Sequence, residues 1–239
     1  ILERLGVWPA LAAAATPIRH IHVSQRGGFG RVGLEAAEAG LPDLGYVIDY
    51  GALSRELSRA AAASAADCRI GARVKSWQDG DPALVAYEMA GVQRTLAAPL
   101  VVVADGSGVP DTDAVDYQQS AVIARVVSER PHNNTAYERF TPHGPLALLP
   151  DGEAWALVWT TTPARAQVLC ELEPGRFLEE LRAEFGARVG DFKLVSGRAA
   201  YPLRLRRSPR TPLAHTVLIG NAAQTLHPIC SLRGCRAVR

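Results

Sequence analysis

Two short, wholly apolar segments, each running straight into a polar, glycine-bearing turn, constrain this chain most. Residues 100–104 are followed by Asp105-Gly106-Ser107-Gly108, and residues 217–219 by Gly220-Asn221-Ala222-Ala223. A strand with no polar alternation is typical of a parallel sheet covered on both faces. A polar side chain at the carboxyl end of such a strand stands where α/β sheets bind ligands. Glycine beside it allows close backbone approach. Asn221 reads as a helix N-cap, and the small residues after it would let a helix N-terminus approach an anionic or polyhydroxy ligand. Singly, each turn has a plainer reading, an Asp-Gly turn and a capped helix. Their recurrence at two strand ends makes Asp105, Gly106, Gly220 and Asn221 candidate binding residues, with His227 and Pro228 a turn further on.

The chain between and before these segments reads as sheet-rich. Strands are expected at 118–128, 135–140, 146–149 and 154–161, each bounded by Pro, Gly or Asp. Helices are expected at 163–169 and 175–185; Phe177, Leu178, Leu181 and Phe185 form one apolar face of the second. Earlier, residues 2–15 read as helical with an interruption near Pro9. Residues 18–25 alternate as a strand, 32–34 return as a second, and 45–49 form a short β run. Leu53, Leu57 and Ala61 recur at spacing four, giving a helix over 50–64. A β-meander follows at 69–78, 83–89 and 93–98, then later strands at 199–205 and 215–219. The insertion between the two apolar segments holds roughly a hundred residues, a domain's worth of chain.

Composition narrows the function classes. Of 239 residues, 48% are hydrophobic, too many for a disordered chain. The longest apolar runs fall far short of the roughly 18 residues a membrane helix needs. With 26 basic and 24 acidic residues the net charge is +2, so no nucleic-acid partner is indicated. Four cysteines in a chain this long make no disulfide framework, and neither they nor the six histidines show zinc spacing, so no metal is expected. Gly28-Phe29-Gly30-Arg31-Val32-Gly33 matches a dinucleotide fingerprint literally, but only about a turn and a half of helix fits before Gly40 and Pro42. A glycine-rich hairpin is the better reading. The arginines at 198, 204, 206, 207 and 210 read as a solvated strand edge and loop. The chain begins at Ile1 and its one methionine is Met89, which suggests processing or a piece of something longer.

The opening "ILERLGVW", the segment "ERFTPHGPLALLP" and above all "VLIGNAAQTLHPI" resemble the ubiquinone-biosynthesis hydroxylases, in particular the 2-polyprenyl-6-methoxyphenol hydroxylase branch. These are flavin-dependent monooxygenases related to para-hydroxybenzoate hydroxylase. The resemblance runs from residue 1 to about residue 229. It implies an α/β (α+β) fold: an incomplete FAD/NAD(P)-binding Rossmann-like domain carrying an inserted mixed or antiparallel substrate-binding sheet. It implies FAD-binding segments at 1–17 and 50–113, substrate-domain segments at 18–49 and 114–213, and a returning FAD-domain strand with a truncated flavin loop at 214–239. It places Asp105 and Gly106 near the FAD pyrophosphate, Gly220 and Asn221 on the ribityl hydroxyls, Pro228 beside the ring and Asp49 near the ribityl chain. An amide can bond a hydroxyl without a buried charge. It places Tyr137, Phe140, Pro145 and His227 on the substrate side, and names no catalytic base. FAD and the co-substrate NAD(P)H, a phenolic substrate and O2 are implied. So are a bacterial, cytoplasmic location, peripheral contact with the inner membrane and membership of a ubiquinone-biosynthesis complex. The family's opening βαβ unit would precede residue 1, and from Cys230 the chain departs from the family's glycine-rich flavin loop. The chain as given is therefore expected not to hold FAD and to be inactive. A related flavoprotein, or a fragment without flavin, are the alternatives.

Overall fold

In the computed structural model, residues 1–106, 113–207 and 213–225 are described. The expectations at His227, Pro228 and the segment from Cys230 lie outside them. The elements, in order, are α1 (Trp8–Ala12), β1 (Thr16–Ile18), β2 (His20–Gln25), β3 (Arg31–Glu35), β4 (Gly45–Val47) and α2 (Tyr50–Ala62). Then come β5 (Arg73–Gln78), β6 (Ala83–Met89), β7 (Val92–Ala98), β8 (Val101–Val103), β9 (Asp113–Ser128), β10 (Thr135–Thr141), β11 (Gly144–Asp151) and β12 (Ala154–Thr161). The chain continues with α3 (Pro163–Glu171), α4 (Pro174–Phe185), β13 (Phe192–Arg207), β14 (Thr216–Leu218) and β15 (Gln224–Thr225).

Two compact units result: residues 1–66 with 118–202, and 67–117 with 203–239. The expected division placed residues 1–17 and 50–66 with the FAD segments; here they group with the large sheet. The cause is local. The ribbon β1–β4 lies against β11, Gly152 N–H donates to Thr16 Oγ1 (2.8 Å), and α1 packs on α2.

The first unit is a mixed sheet in the order β13-β9-β12-β11-β10-β2-β3. The pairs β9–β12, β12–β11, β11–β10 and β2–β3 are antiparallel, whereas β10–β2 is parallel. The glycine-rich stretch is a hairpin: His20 to Ser24 pair with Glu35 to Arg31, and Gly28 and Gly30 lie in the connection. The long first helix expected over residues 2–15 shrinks to the five residues of α1, because Pro9 admits only the start of a helix and Thr16 and Pro17 already belong to a strand.

Helices α3 and α4 cover one face of this sheet. Each begins with a proline in its first turn, where no backbone donor is lost, and Thr162 caps α3 by accepting from Arg165 N–H. Phe177, Leu181 and Phe185 of α4 and Leu169 of α3 are buried against Val122, Val126, Leu146, Leu148, Trp155, Leu157 and Trp159 of the strands. Arg198 is not the solvated edge residue expected of it. It donates to the carbonyls of Leu169 and Leu172, at the end of α3, and its guanidinium lies 5.2 Å from the Phe177 ring centroid. Carbonyls left without a donor at a helix end are a natural target for a guanidinium.

The second unit holds the antiparallel meander β5-β6-β7, the parallel pair β8–β14, and β15 beside the end of β13. Its small core joins Val103, Leu218 and Ala222 with Trp77 and Val101. The expected burial of β8 on both faces is not met: Val103 is buried, but Leu100, Val102 and Ile219 are about half exposed. A parallel pair lacks the multiple strands that would cover both sides.

The helix face of the sheet carries the first unit's stability. Replacing Phe177 by Ala should cost about 3–5 kcal/mol in urea unfolding, the usual penalty for truncating a buried aromatic. Replacing the fully exposed Phe29 by Ser should stay within about 0.5 kcal/mol.

Candidate functional site

The two polar turns that the sequence singled out are brought together by β8 and β14. The strands pair in parallel, Val101 to Thr216 and Val103 to Leu218, and Ile219 N–H extends the ladder to the Val103 carbonyl (3.0 Å). Their carboxyl ends therefore emerge side by side. Gly106 and Gly220 both take left-handed backbone, with φ of 75° and 59°. A Cβ placed on Gly106 would lie 3.6 Å from Cβ of Asn221. Asn221 is exposed next to that glycine.

The start of β14 is fixed as carefully as its end. Asp79 accepts from Ala214 N–H (3.0 Å) and His215 N–H (2.8 Å). The hydrogen bond from His215 N–H is the largest of the effects that hold the Asp79 carboxyl below its ordinary value. His215 Nδ1 stands 2.9 Å from the Pro99 carbonyl, which can only accept, so this nitrogen carries the proton.

The expected helix opening at Asn221 is absent. Gly220–Ala222 form a single 3-10 turn, Ile219 occupies the cap position, and no side chain caps it. Thr225 Oγ1 and Ala223 N–H turn back to the carbonyls of Asn221 and Gly220 instead. A three-residue turn carries no macrodipole of note, so any ligand contact here falls to the Asn221 side chain and to backbone freed by the glycines. The role of Asp49 is local. It is the N-cap of α2 and accepts from Ala52 N–H at 2.7 Å. It belongs to the first unit, whereas Asp105, Gly106, Gly220 and Asn221 belong to the second.

The substrate-side expectations separate by the pleat of β10. Phe140 and Pro145 are direct cross-strand partners and share one face of the sheet. Tyr137 has the opposite parity and turns to the helices, with its ring centroid 5.6 Å from those of Trp155, Phe185 and His22. Tyr137 thus builds the core and does not join Phe140; an odd spacing along a strand always separates faces. Beside it, Arg139 donates to the Glu184 carbonyl. The Glu184 carboxyl is raised by burial but lowered overall by hydrogen bonds from Thr141, His143 and Arg26, the last at 2.6 Å. These contacts pin the end of α4 to β10.

Glu138 is a residue that the sequence alone did not single out. It lies between Tyr137 and Arg139, so it points away from the helices, toward the face of Phe140 and Pro145. It is only 4% exposed, and among the described residues its carboxyl has no hydrogen-bond or ion-pair partner. Burial pushes it up to about 7. The alternation Ala136, Glu138, Phe140 against Tyr137 and Arg139 was the available signal: a carboxyl among apolar residues of the same parity. Among the described residues no cluster of three His, Cys, Asp or Glu could hold a metal, and no helix is long and apolar enough to cross a membrane.

No family model matches the chain. Individual proteins do. It is 32% identical to ubiquinone hydroxylase UbiL of Rhodospirillum rubrum, over 96% of this chain and 55% of that protein. It is 30% identical to 3-demethoxyubiquinol 3-hydroxylase of Escherichia coli, over 96% and 60%. The chain belongs to the ubiquinone-biosynthesis family of FAD-dependent hydroxylases. It spans a little over half the length of the curated relatives it matches. Solved structures share the fold at low identity. The p-nitrophenol 4-monooxygenase PnpA of Pseudomonas putida superposes with a TM-score of 0.71 at 15% identity, over 97% of this chain and 62% of that one. The flavin-dependent halogenase CmlS gives 0.73 at 16%, over 97% and 46%. The expected α/β architecture with a mixed sheet is the one these flavoproteins have.

The turn pair suits a flavin dinucleotide: two strand ends side by side, left-handed glycines that leave backbone uncovered, and an exposed amide able to bond a hydroxyl. Gly106→Val should therefore act twice. It forces a β-branched residue to positive φ, costing about 1–2 kcal/mol of stability, and it fills the space beside Asn221. Gly220→Val, with nothing within 4 Å of its added Cβ, should show the backbone cost alone. Denaturation midpoints of both variants give the comparison.

The raised Glu138 carboxyl makes a second expectation. The folded protein holds this proton more tightly than the unfolded chain, whose glutamates titrate near 4.5. Stability therefore falls as pH rises from about 4.5 to about 7 and beyond, and the loss is complete once the folded-state carboxyl is fully ionised. Glu138→Gln removes that fall. Relative to the unsubstituted chain it should gain up to about 3 kcal/mol between acid and mildly alkaline pH, measured by urea unfolding.

Proposed function

We propose that the chain contributes to an FAD-dependent monooxygenase that hydroxylates the aromatic ring of a polyprenyl phenol in ubiquinone biosynthesis, with NAD(P)H as reductant and O2 as oxidant. The observation that carries this reading is the Gly106–Asn221 juxtaposition at the ends of β8 and β14, in a chain whose named relatives are ubiquinone hydroxylases. Gly106 and Gly220 leave backbone open to a pyrophosphate or ribityl group, Asn221 bonds a ribityl hydroxyl, and Asp105 stands at the adjacent strand end. Bound flavin supplies the oxygen chemistry: reduction by the nicotinamide, then activation of O2.

The protein's own residues position and enclose the ring. Phe140 and Pro145 offer an aromatic ring and a rigid apolar edge on one face of the sheet, and Ala147, Val158 and Val23 extend that face with small and branched apolar side chains. Such a wall excludes water and suits a phenol with an apolar tail. A polyprenyl substrate dissolves in the membrane, so the reading includes peripheral contact with the bacterial inner membrane and with other enzymes of the same biosynthesis. Pro228 and His227, in the family's position beside the flavin ring and substrate, complete the assignment from the sequence resemblance alone.

Genetic complementation tests the reading. The gene encoding this chain, expressed in an Escherichia coli strain lacking 3-demethoxyubiquinol 3-hydroxylase, should restore ubiquinone, and the Asn221→Leu version should not. Failure of the parent gene in this strain and in strains lacking the other ring hydroxylases of the pathway would sink the reading.

A further inference from the structure

The sheet face opposite α3 and α4 is apolar along one continuous line of register. Ile123 pairs with Val158, Val158 with Ala147, Ala147 with Glu138, Glu138 with Val23, and Val23 with Val32. In that row Glu138 is the one polar side chain. Two residues along β10 stands Phe140, facing Pro145. No charged group lies on the strands flanking Glu138 at its level, where its neighbours are Ala147 and Val23, and burial is the sole cause of its raised value. The other buried carboxylate among the described residues, Glu184, has Arg26 and His143 as partners. A carboxyl desolvated without compensation is costly to ionise. The sheet gives it nothing to bond, so its partner must come from what binds the face.

We propose that Glu138 is the proton acceptor for the hydroxyl of the phenol that this sheet face binds. This rests on reading the chain as an aromatic hydroxylase. In its ionised form the carboxylate accepts a hydrogen bond from the phenol. As the ring is attacked, the phenol O–H bond breaks, its electron pair stays on the phenol oxygen, and the proton passes to a Glu138 carboxyl oxygen. The ring carbons ortho and para to that oxygen gain electron density, which is what an electrophilic oxygen donor requires. When the hydroxylated ring regains aromaticity the proton returns to the phenol oxygen, so the carboxylate ends as it began. A carboxyl near 7 lies much closer to a phenol at about 10 than an exposed glutamate does, which favours shared rather than one-sided ownership of the proton.

Binding of 2-methoxyphenol to the purified chain, followed by equilibrium dialysis at about pH 6 and about pH 8, tests this, with methoxybenzene as a probe that has no O–H to donate. A hydrogen bond to a charged acceptor exceeds one to a neutral acceptor by about 1 kcal/mol, so 2-methoxyphenol should bind about fivefold tighter at the higher pH. Methoxybenzene should show no such step. In Glu138→Gln the phenol should still bind, without the pH step, and Glu138→Asp should keep a step. An infrared carboxyl band titrating near 7 should disappear in Glu138→Gln. A phenol that binds equally at both pH values, or a step that survives in Glu138→Gln, overturns the proton-acceptor role and leaves the hydroxylase reading standing. A chain that binds neither ring while its carboxyl band still titrates overturns both.

Discussion

The parallel pairing of β8 with β14 is the constraint on which the candidate cofactor site depends. Three residues on each strand suffice, because the ladder is extended at both ends. His215 carbonyl accepts from Val101 N–H at the start, and Ile219 N–H reaches the Val103 carbonyl at the finish. Register in a parallel pair decides which residues leave the strands together. A slip of two positions would part Gly106 from Asn221 by about 6–7 Å at the usual strand rise. Asp79 prevents the slip by holding the backbone of Ala214 and His215 from outside the pair. A single carboxylate on the loop after β5 thus sets the alignment of a site more than a hundred residues further along the chain.

In the first unit the same logic works across a sheet instead of along a pair. One face is dedicated to packing: Trp155, Trp159, Leu146, Leu148 and Leu157 meet Phe177, Leu181 and Phe185, and Trp155 Nε1 is satisfied by Ser128 Oγ at 2.7 Å. With stability drawn from that side, the other face is free to be shaped by something else. Tyr137 and Glu138 show the division within two consecutive residues. The tyrosine joins an aromatic cluster with Phe185 and Trp155, and the glutamate turns to the face of Phe140 and Pro145.

Much of this was legible in the sequence, for reasons that differ by element. The two apolar segments with polar turns announced a parallel pair because no amphipathic strand lacks alternation. The apolar spacing of Phe177, Leu181 and Phe185 announced α4 because only a helix brings them to one side. The hairpin at Gly28–Gly33 was legible from what its glycines were not followed by. The misses have equally local causes. Asn221 looked like a cap, but a capping residue needs a helix to cap, and one 3-10 turn was all that formed. Residues 50–66 looked like part of the other unit because helix α2 carries no mark of which sheet it accompanies. Arg198 looked solvated because sequence shows charge and not the unpaired carbonyls at the end of α3 that attract it.

Tyr137 and Glu138 carry the sharper lesson, since both lie inside the segment that resembled a known family. Resemblance identified the strand, and an aromatic residue on it was the natural substrate contact. Parity decides otherwise: counting from Phe140, the residues that share its face are Glu138 and Ala136. The count needs no structure once one residue of the strand is anchored, and it turns a hydrophobic-contact argument into a proton-transfer argument. A partnerless carboxyl inside an apolar row weakens the sheet that holds it, by the same linkage that raises its affinity for a proton. Replacement by an apolar residue would remove that cost while leaving the helix-covered core intact. The carboxyl therefore contributes nothing to folding that its neighbours do not already supply, and its chemistry has to be sought in what the face binds.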